Sequence, residues 1–185
     1  MMYNETDIQS NMEDRLAQLK ELMQVGHCTE SKAAVHNTCN NTKKLFEVYL
    51  YYIRQCTQKD FPSLPFLRSH FGAEVAQWGG YIDAVGMVQA HKRNVFCGEC
   101  NAQLEVGDYT ITQCWLRHEN KLEVWVKGHA HLHIDCFESS ELVVHVEGKG
   151  ARVYVNTYAD SKAVFDGCTE RVVATVYDCK TYKTK

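Results

Sequence analysis

The sequence predicts an α+β protein with a helical N-terminal half and a zinc-stabilised, mostly antiparallel β module after it. Three observations carry that expectation. Apolar residues recur at three- and four-residue steps through the first half. From residue 96 onward they recur at every second position. Where the two patterns meet stands Cys97-Gly98-Glu99-Cys100, followed downstream by His133-Ile134-Asp135-Cys136. Two thiols two residues apart, then an imidazole and a thiol with the same gap, form the ligand set of a closed tetrahedral zinc site. A closed shell leaves no position for a reactive water, so the expected Zn2+ is structural.

The first element expected is an amphipathic helix over residues 6–25, with Ile8, Met12, Leu16, Leu19 and Met23 on one stripe and Gly26 as its stop. Such a stripe needs a partner surface, either its own domain or a second copy, so self-association through residues 6–25 is an expectation. Residues 27–42 are polar and read as a linker; with the helix they form the first segment, 1–42. His27, Cys28, His36 and Cys39 lie there without a familiar ligand spacing.

Residues 43–56 predict a helix with Leu45, Val48, Tyr49, Tyr52, Ile53 and Cys56 on one face. Asp60-Phe61-Pro62-Ser63 breaks it, and a short helix follows over 63–71, ending at Gly72. A third helix is expected over 74–85, ending at Gly86. Three helices with short turns have the proportions of a helix-turn-helix unit, placed at residues 43–90. The remaining segment, 91–185, is the zinc-binding β module. Its alternating runs are Leu122, Val124, Val126; Leu142, Val144, Val146; Ala151, Val153, Val155; and Val172, Ala174, Val176. Turn residues punctuate them, and the sequence is read as free of internal repeats.

The 185 residues suit one compact domain or two small ones. No apolar run reaches the length of a membrane-spanning helix, so no membrane partner is expected. The polar, acidic start is unlike a secretory signal. Nine cysteines without such a signal point to an intracellular reducing compartment, cytoplasm or nucleus. The net charge is −3, yet residues 43–95 carry seven basic and four acidic side chains. That stretch is the one footprint suited to phosphate contact.

Residues 43–87 resemble the homing-endonuclease-associated repeat, a small helical DNA-binding unit, at Pro62, Ser63, Leu67, Arg68, Phe71, Gly72, Trp78, Ala84, Gly86 and Met87. Ala73 to Gln77 intervene before the tryptophan, a departure from that family's pattern. Residues 91–137 are similar to the zinc finger of poly(ADP-ribose) polymerases, on Lys92, Arg93, Phe96 and the two ligand pairs. The resemblances imply a zinc-containing, non-enzymatic DNA-binding protein, with a regulatory role and a phage or viral type as further expectations. Its metal ligands would be Cys97, Cys100, His133 and Cys136. Lys43, Lys44, Arg68, His70, Lys92 and Arg93 would meet nucleic acid, DNA in preference to RNA. The alternatives are a protein-interaction adaptor and a metal-dependent nuclease using His131 or Asp135. A Cys114–His118 thiol pair is the remaining enzymatic arrangement. No glycine-rich phosphate loop or nucleophile elbow is present.

Overall fold

The structure, a computed structural model, describes residues 33, 34, 37, 38 and 41–182. The expected helix over 6–25, its self-association, and His27, Cys28, His36 and Cys39 lie outside the described residues. The chain divides into two compact units, residues 1–72 and 73–185.

The described part of the first unit is helical. Helix α1 (Thr42–Tyr51) begins at Asn41, whose side-chain oxygen accepts the Lys44 backbone N–H at 3.0 Å. The single helix expected over 43–56 is broken at Tyr52, and α2 (Ile53–Gln58) continues it. Helix α3 (Leu64–His70) has proline in its first turn, as the sequence predicts. Phe46, Tyr49, Phe66 and Phe71 form an aromatic core, with Phe46 and Phe71 edge to face at 5.7 Å.

The expected third helix does not form, and with it goes the three-helix unit. Residues Gly72–Trp78 make a 3-10 helix, and strands follow at once. Gly79 sits at φ +92, a left-handed conformation that stops helical winding. Tyr81, within the expected helix over 74–85, instead stacks on Phe96 at 4.8 Å. Residues 73–90 therefore belong with the β unit.

That unit corrects the fold class. Among the described residues it has eleven strands: β1 (Gly80–Ile82), β2 (Val85–Val88), β3 (Arg93–Gly98), β4 (Asn101–Val106), β5 (Ile111–His118), β6 (Lys121–Val126), β7 (His131–Cys136), β8 (Glu141–Val146), β9 (Arg152–Tyr158), β10 (Lys162–Gly167) and β11 (Val172–Tyr177). The odd strands form one sheet in chain order and the even strands form the other. Every pairing is parallel, not antiparallel. The chain winds as a β-solenoid, each coil giving one strand to each sheet.

The alternating runs are strands, as expected, but alternation alone does not reveal the direction of pairing. The register does. Gln103 aligns with Glu123, and Glu123 with Val143, so corresponding positions recur every 20 residues. Between β7 and β9 the step is 21, His133 against Tyr154, with Gly148-Lys149-Gly150 in the connecting corner. The chain thus has an internal repeat, which the sequence reading missed because side-chain identity varies while burial persists.

Inward side chains stack in columns. The even sheet contributes Leu104, Val124 and Val144, and the odd sheet Cys114, Ile134 and Val155, all at most 1% exposed. Burying each large aliphatic side chain contributes about 1.5–3 kcal/mol. At the glycine corner a Cβ on Gly148 would strike the backbone of Gly128, so successive coils approach there without side chains between them. No helix among the described residues is long and apolar enough to cross a membrane.

Candidate functional site

The two zinc-ligand pairs occupy different positions of the repeat. Cys97 and Cys100 flank the corner from β3 to β4. His133 and Cys136 lie within β7. Three residues apart on a strand, their side chains point to opposite faces. Cys136 faces the core, in the column of Phe96 and Leu116, while His133 aligns with Gln113 and Arg93 on the outer face. Strand β5 lies between β3 and β7, so the pairs are two strand spacings apart, about 9.6 Å. Ligand bonds of about 2.0–2.3 Å cannot bring these groups to one ion. With His133 and Cys136 on opposite faces of β7, the structure does not bring Cys97, Cys100, His133 and Cys136 into one cluster.

What Cys100 does instead follows from its repeat position. Cys100, Asn120, Ser140 and Ser161 form a column of small polar residues at successive corners. Each donates to a backbone carbonyl of the preceding coil. Cys100 Sγ reaches Tyr81 at 3.5 Å, Asn120 Nδ2 reaches Phe96 at 3.3 Å, Ser140 Oγ reaches His118 at 3.2 Å, and Ser161 Oγ reaches Cys136 at 2.9 Å. The second cysteine of the apparent metal motif is the first rung of a hydrogen-bonded seam. Burial pushes its thiol up to about 11, which keeps it protonated as a donor.

The thiols follow the same logic. Burial pushes Cys114 up to about 12 and Cys136 well above its usual range. Cys114 lies against Asn94 Nδ2 at 3.7 Å, whereas His118 Nδ1 accepts the Gly98 N–H at 3.1 Å, so no thiol–imidazole pair forms. Peptide-resolved labelling of the native chain with a maleimide should modify Cys168 and Cys179, both half-buried, and spare Cys97, Cys100, Cys114 and Cys136. Fast labelling of those four would contradict the packing.

Two polar constellations stand on the outer faces. On the odd sheet, Asp135 is 3% exposed. Asn156 Nδ2 donates to its Oδ1 at 2.7 Å, the Tyr182 hydroxyl donates to its Oδ2, and Trp115 Nε1 donates to Tyr182 at 3.0 Å. His133 Nε2 lies 3.1 Å from Asn156 Nδ2 and 3.5 Å from Asp135 Oδ1. The C-terminal tail thereby turns back across this sheet, and Tyr182 packs on Phe137 and Tyr158. Burial pushes the Asp135 carboxyl up, but hydrogen bonds from His133, Tyr182 and Asn156 outweigh it and hold it below its usual range. A lowered carboxyl stabilises the fold above its unfolded value, about 3.9, and that contribution is lost as pH falls through the lower folded value. Urea midpoints should therefore drop between pH 5 and pH 2 by more in the wild type than in Asp135→Asn; equal drops would contradict the network.

On the even sheet His145 bridges two carboxylates. Its Nε2 lies 2.9 Å from Glu123 and its Nδ1 2.8 Å from Asp166. Hydrogen bonding to Glu123, with a further contribution from Asp166, raises its pKa and favours the charged form. Its stabilisation is present below about pH 6.5 and lost as pH rises through the raised value. Gln103 donates to Glu123 at 2.9 Å, Trp125 stacks on His145 at 5.0 Å, and Lys127 pairs with Glu105 at 2.7 Å. This face satisfies itself along the stacking direction. An imidazole clamped between two carboxylates acts as a ladder strut.

The expected nucleic-acid residues divide between the units. Lys43 and Lys44 stand in the first turn of α1, with Lys43 Nζ 3.9 Å from Glu47. Arg68 and His70 occupy the last turn of α3, and His70 lies against Phe66. Lys92 and Arg93 enter β3 in the other unit. His131 and Asp135 share the outer face of β7, as strand alternation predicts, with Asp135 committed to Tyr182 and Asn156. Asn94, Glu123 and His145 were not singled out in the sequence, and Asn120 and Asp166 were read only as turn residues. The signal that finds them is the 20-residue offset, which aligns Glu119-Asn120 with Glu99-Cys100 and Ser139-Ser140. No family model, curated protein or solved structure matches this chain.

Proposed function

We propose that the chain is a non-enzymatic assembly module, a short rigid solenoid whose last coil is an attachment surface for a protein strand. One observation carries this reading. Positions that are core in every earlier coil lie open in the last. Val176 is 80% exposed, whereas its column predecessors Thr157 and Cys136 are 6% and 0% exposed. Ala174 is exposed below a column of buried Val155, Ile134 and Cys114. Strand β11 pairs with β9 on one side, and among the described residues no strand takes its other edge. Solenoid ends require a cap or a partner to cover such a coil. A strand added to an open edge satisfies backbone groups and covers the apolar side chains together. The test is selection from a library of extended decapeptides against the intact chain. The expected result is peptides whose binding is lost in Val176→Asp. Failure to select any, or binding indifferent to that substitution, overturns the reading.

A second reading keeps nucleic acid for the helical unit, where residues 41–72 carry five basic and two acidic side chains. Residues 73–185 carry 12 basic and 15 acidic, which disfavours phosphate on the solenoid. Duplex DNA binding that falls steeply with salt and is lost in Lys44→Glu with Arg68→Glu would support this reading. Absence of binding at low salt removes it.

A further inference from the structure

We infer that the outer face of the odd sheet holds a binding site for one phosphate group, carried as the monoester of a small molecule. Its residues are His131 and His133 of β7 with Arg152 and Tyr154 of β9. The register sets these four as a block, with His131 opposite Arg152 and His133 opposite Tyr154. His133 stands on the outer face, and residues two apart on a strand share a face, so all four point outward. Strands lie about 4.8 Å apart and alternate residues about 6.6 Å apart, so the four occupy the corners of one small rectangle. Arg152 and Tyr154 are exposed, and both histidines are half-buried.

The protein does not answer the charge of this block. The acid on the odd strands is Asp135, whereas the even strands carry Glu105, Glu123, Glu141 and Asp166. On the even sheet Lys121, Lys127 and His145 each meet a carboxylate. Among the described residues no carboxylate meets Arg152. Asp135 is 3% exposed, and its oxygens are taken by Asn156 and Tyr182. With Asn156 it braces His133, whose Nε2 lies 3.5 Å from Asp135 Oδ1. The neighbours in register, Ile111 and Gln113 on β5 and Val173 on β11, are uncharged. Opposite charges across a strand pair stabilise a sheet, and a base set against a base does not. Lys121 against Glu141 follows that rule, and His131 against Arg152 breaks it. An anion from outside supplies what the sheet leaves out.

The donors select the ligand. A guanidinium offers N–H groups and no acceptor, and imidazole and phenol add further donors. A phosphate monoester presents three oxygens to such a set, and arginine with phosphate makes strong paired hydrogen bonds. A carboxylate offers two oxygens and leaves part of the block unmet. The excess of acid over residues 73–185 disfavours a long polyanion, which would cross it, but not one phosphate group at this block. The site is separate from the open last coil and does not depend on the assembly reading.

The test is a nuclear magnetic resonance titration of the full chain with inorganic phosphate, run against chloride at equal ionic strength. The expected result is saturable displacement of the His131 and His133 imidazole signals by phosphate and none by chloride. Glycerol phosphate should saturate the same signals. Arg152→Gln and His131→Gln should each weaken binding about tenfold, the loss of one hydrogen bond to an ionised group. Lys121→Gln, on the even sheet, should leave the affinity unchanged. Shifts that follow ionic strength whatever the anion, a lack of saturation, or an affinity unchanged in Arg152→Gln would each overturn the site. Saturation by a single-stranded oligonucleotide without saturation by phosphate would assign the block to a polymer and overturn the small ligand.

Discussion

Leu122→Ala should destabilise the chain by about 3–5 kcal/mol, the upper part of the range for a buried leucine. Leu122 is 2% exposed and stands in an inward column between Ala102 and Leu142. The cost of such a truncation depends on how far the surroundings collapse into the space left behind. In this fold they collapse little. Ladder hydrogen bonds hold neighbouring strands about 4.8 Å apart, and the coil below offers only a methyl group at Ala102. The control is Val164→Ala on the outer face, 62% exposed, with an expected change under about 0.5 kcal/mol. Urea unfolding of both variants gives the comparison. Equal effects would show that the two positions do not face opposite sides of the even sheet.

Asn120→Ala should cost about 2–4 kcal/mol, through unsatisfied backbone groups more than through lost volume. Asn120 is fully buried at the corner between β5 and β6. Its Oδ1 accepts the Cys100 N–H at 3.3 Å, and its Nδ2 donates to the carbonyls of Phe96 and Arg117. Alanine removes the amide and leaves the Cys100 N–H and the Phe96 carbonyl buried without it. Asn120→Ser should recover part of the loss, because Ser140 and Ser161 hold the equivalent corners with a hydroxyl. Asn120→Asp places a carboxylate where the two carbonyls need a donor, so it should be at least as damaging as alanine. Chemical denaturation of the three variants ranks them, and an alanine variant as stable as serine would contradict the seam.

The strands were legible because one buried face imposes period two wherever a strand forms. Leu142, Val144 and Val146 read as a strand in the sequence and are one in β8. Pairing direction was not legible, because alternation is identical in parallel and antiparallel neighbours. The information lay in the 20-residue offset, diluted by a column such as Phe96, Leu116, Cys136 and Thr157, whose members share burial and little else. The spacing of Cys97 and Cys100 has a second explanation in the same repeat. A Cys-x-x-Cys spacing suits a metal knuckle, but the same gap spans a solenoid corner. Residues 97–100, 117–120 and 137–140 are three successive instances of that corner. His133 and Cys136 share the gap without sharing the corner. The helix expected over 74–85 does not form because Gly79-Gly80 ends the winding and hands Tyr81 to the solenoid core.

The stacking of coils in 20-residue register is tested most directly by disulfide trapping. Gln103 and Glu123 are neighbours in one outward column, and Gln103 and Val143 are separated by a full strand. A disulfide needs Cα atoms about 4.4–6.8 Å apart, which adjacent strands provide and alternate strands do not. Peptide mapping of mildly oxidised protein should find the 103–123 bridge in Gln103→Cys with Glu123→Cys. It should find no 103–143 bridge in Gln103→Cys with Val143→Cys. The reverse pattern, or neither bridge, would contradict the solenoid.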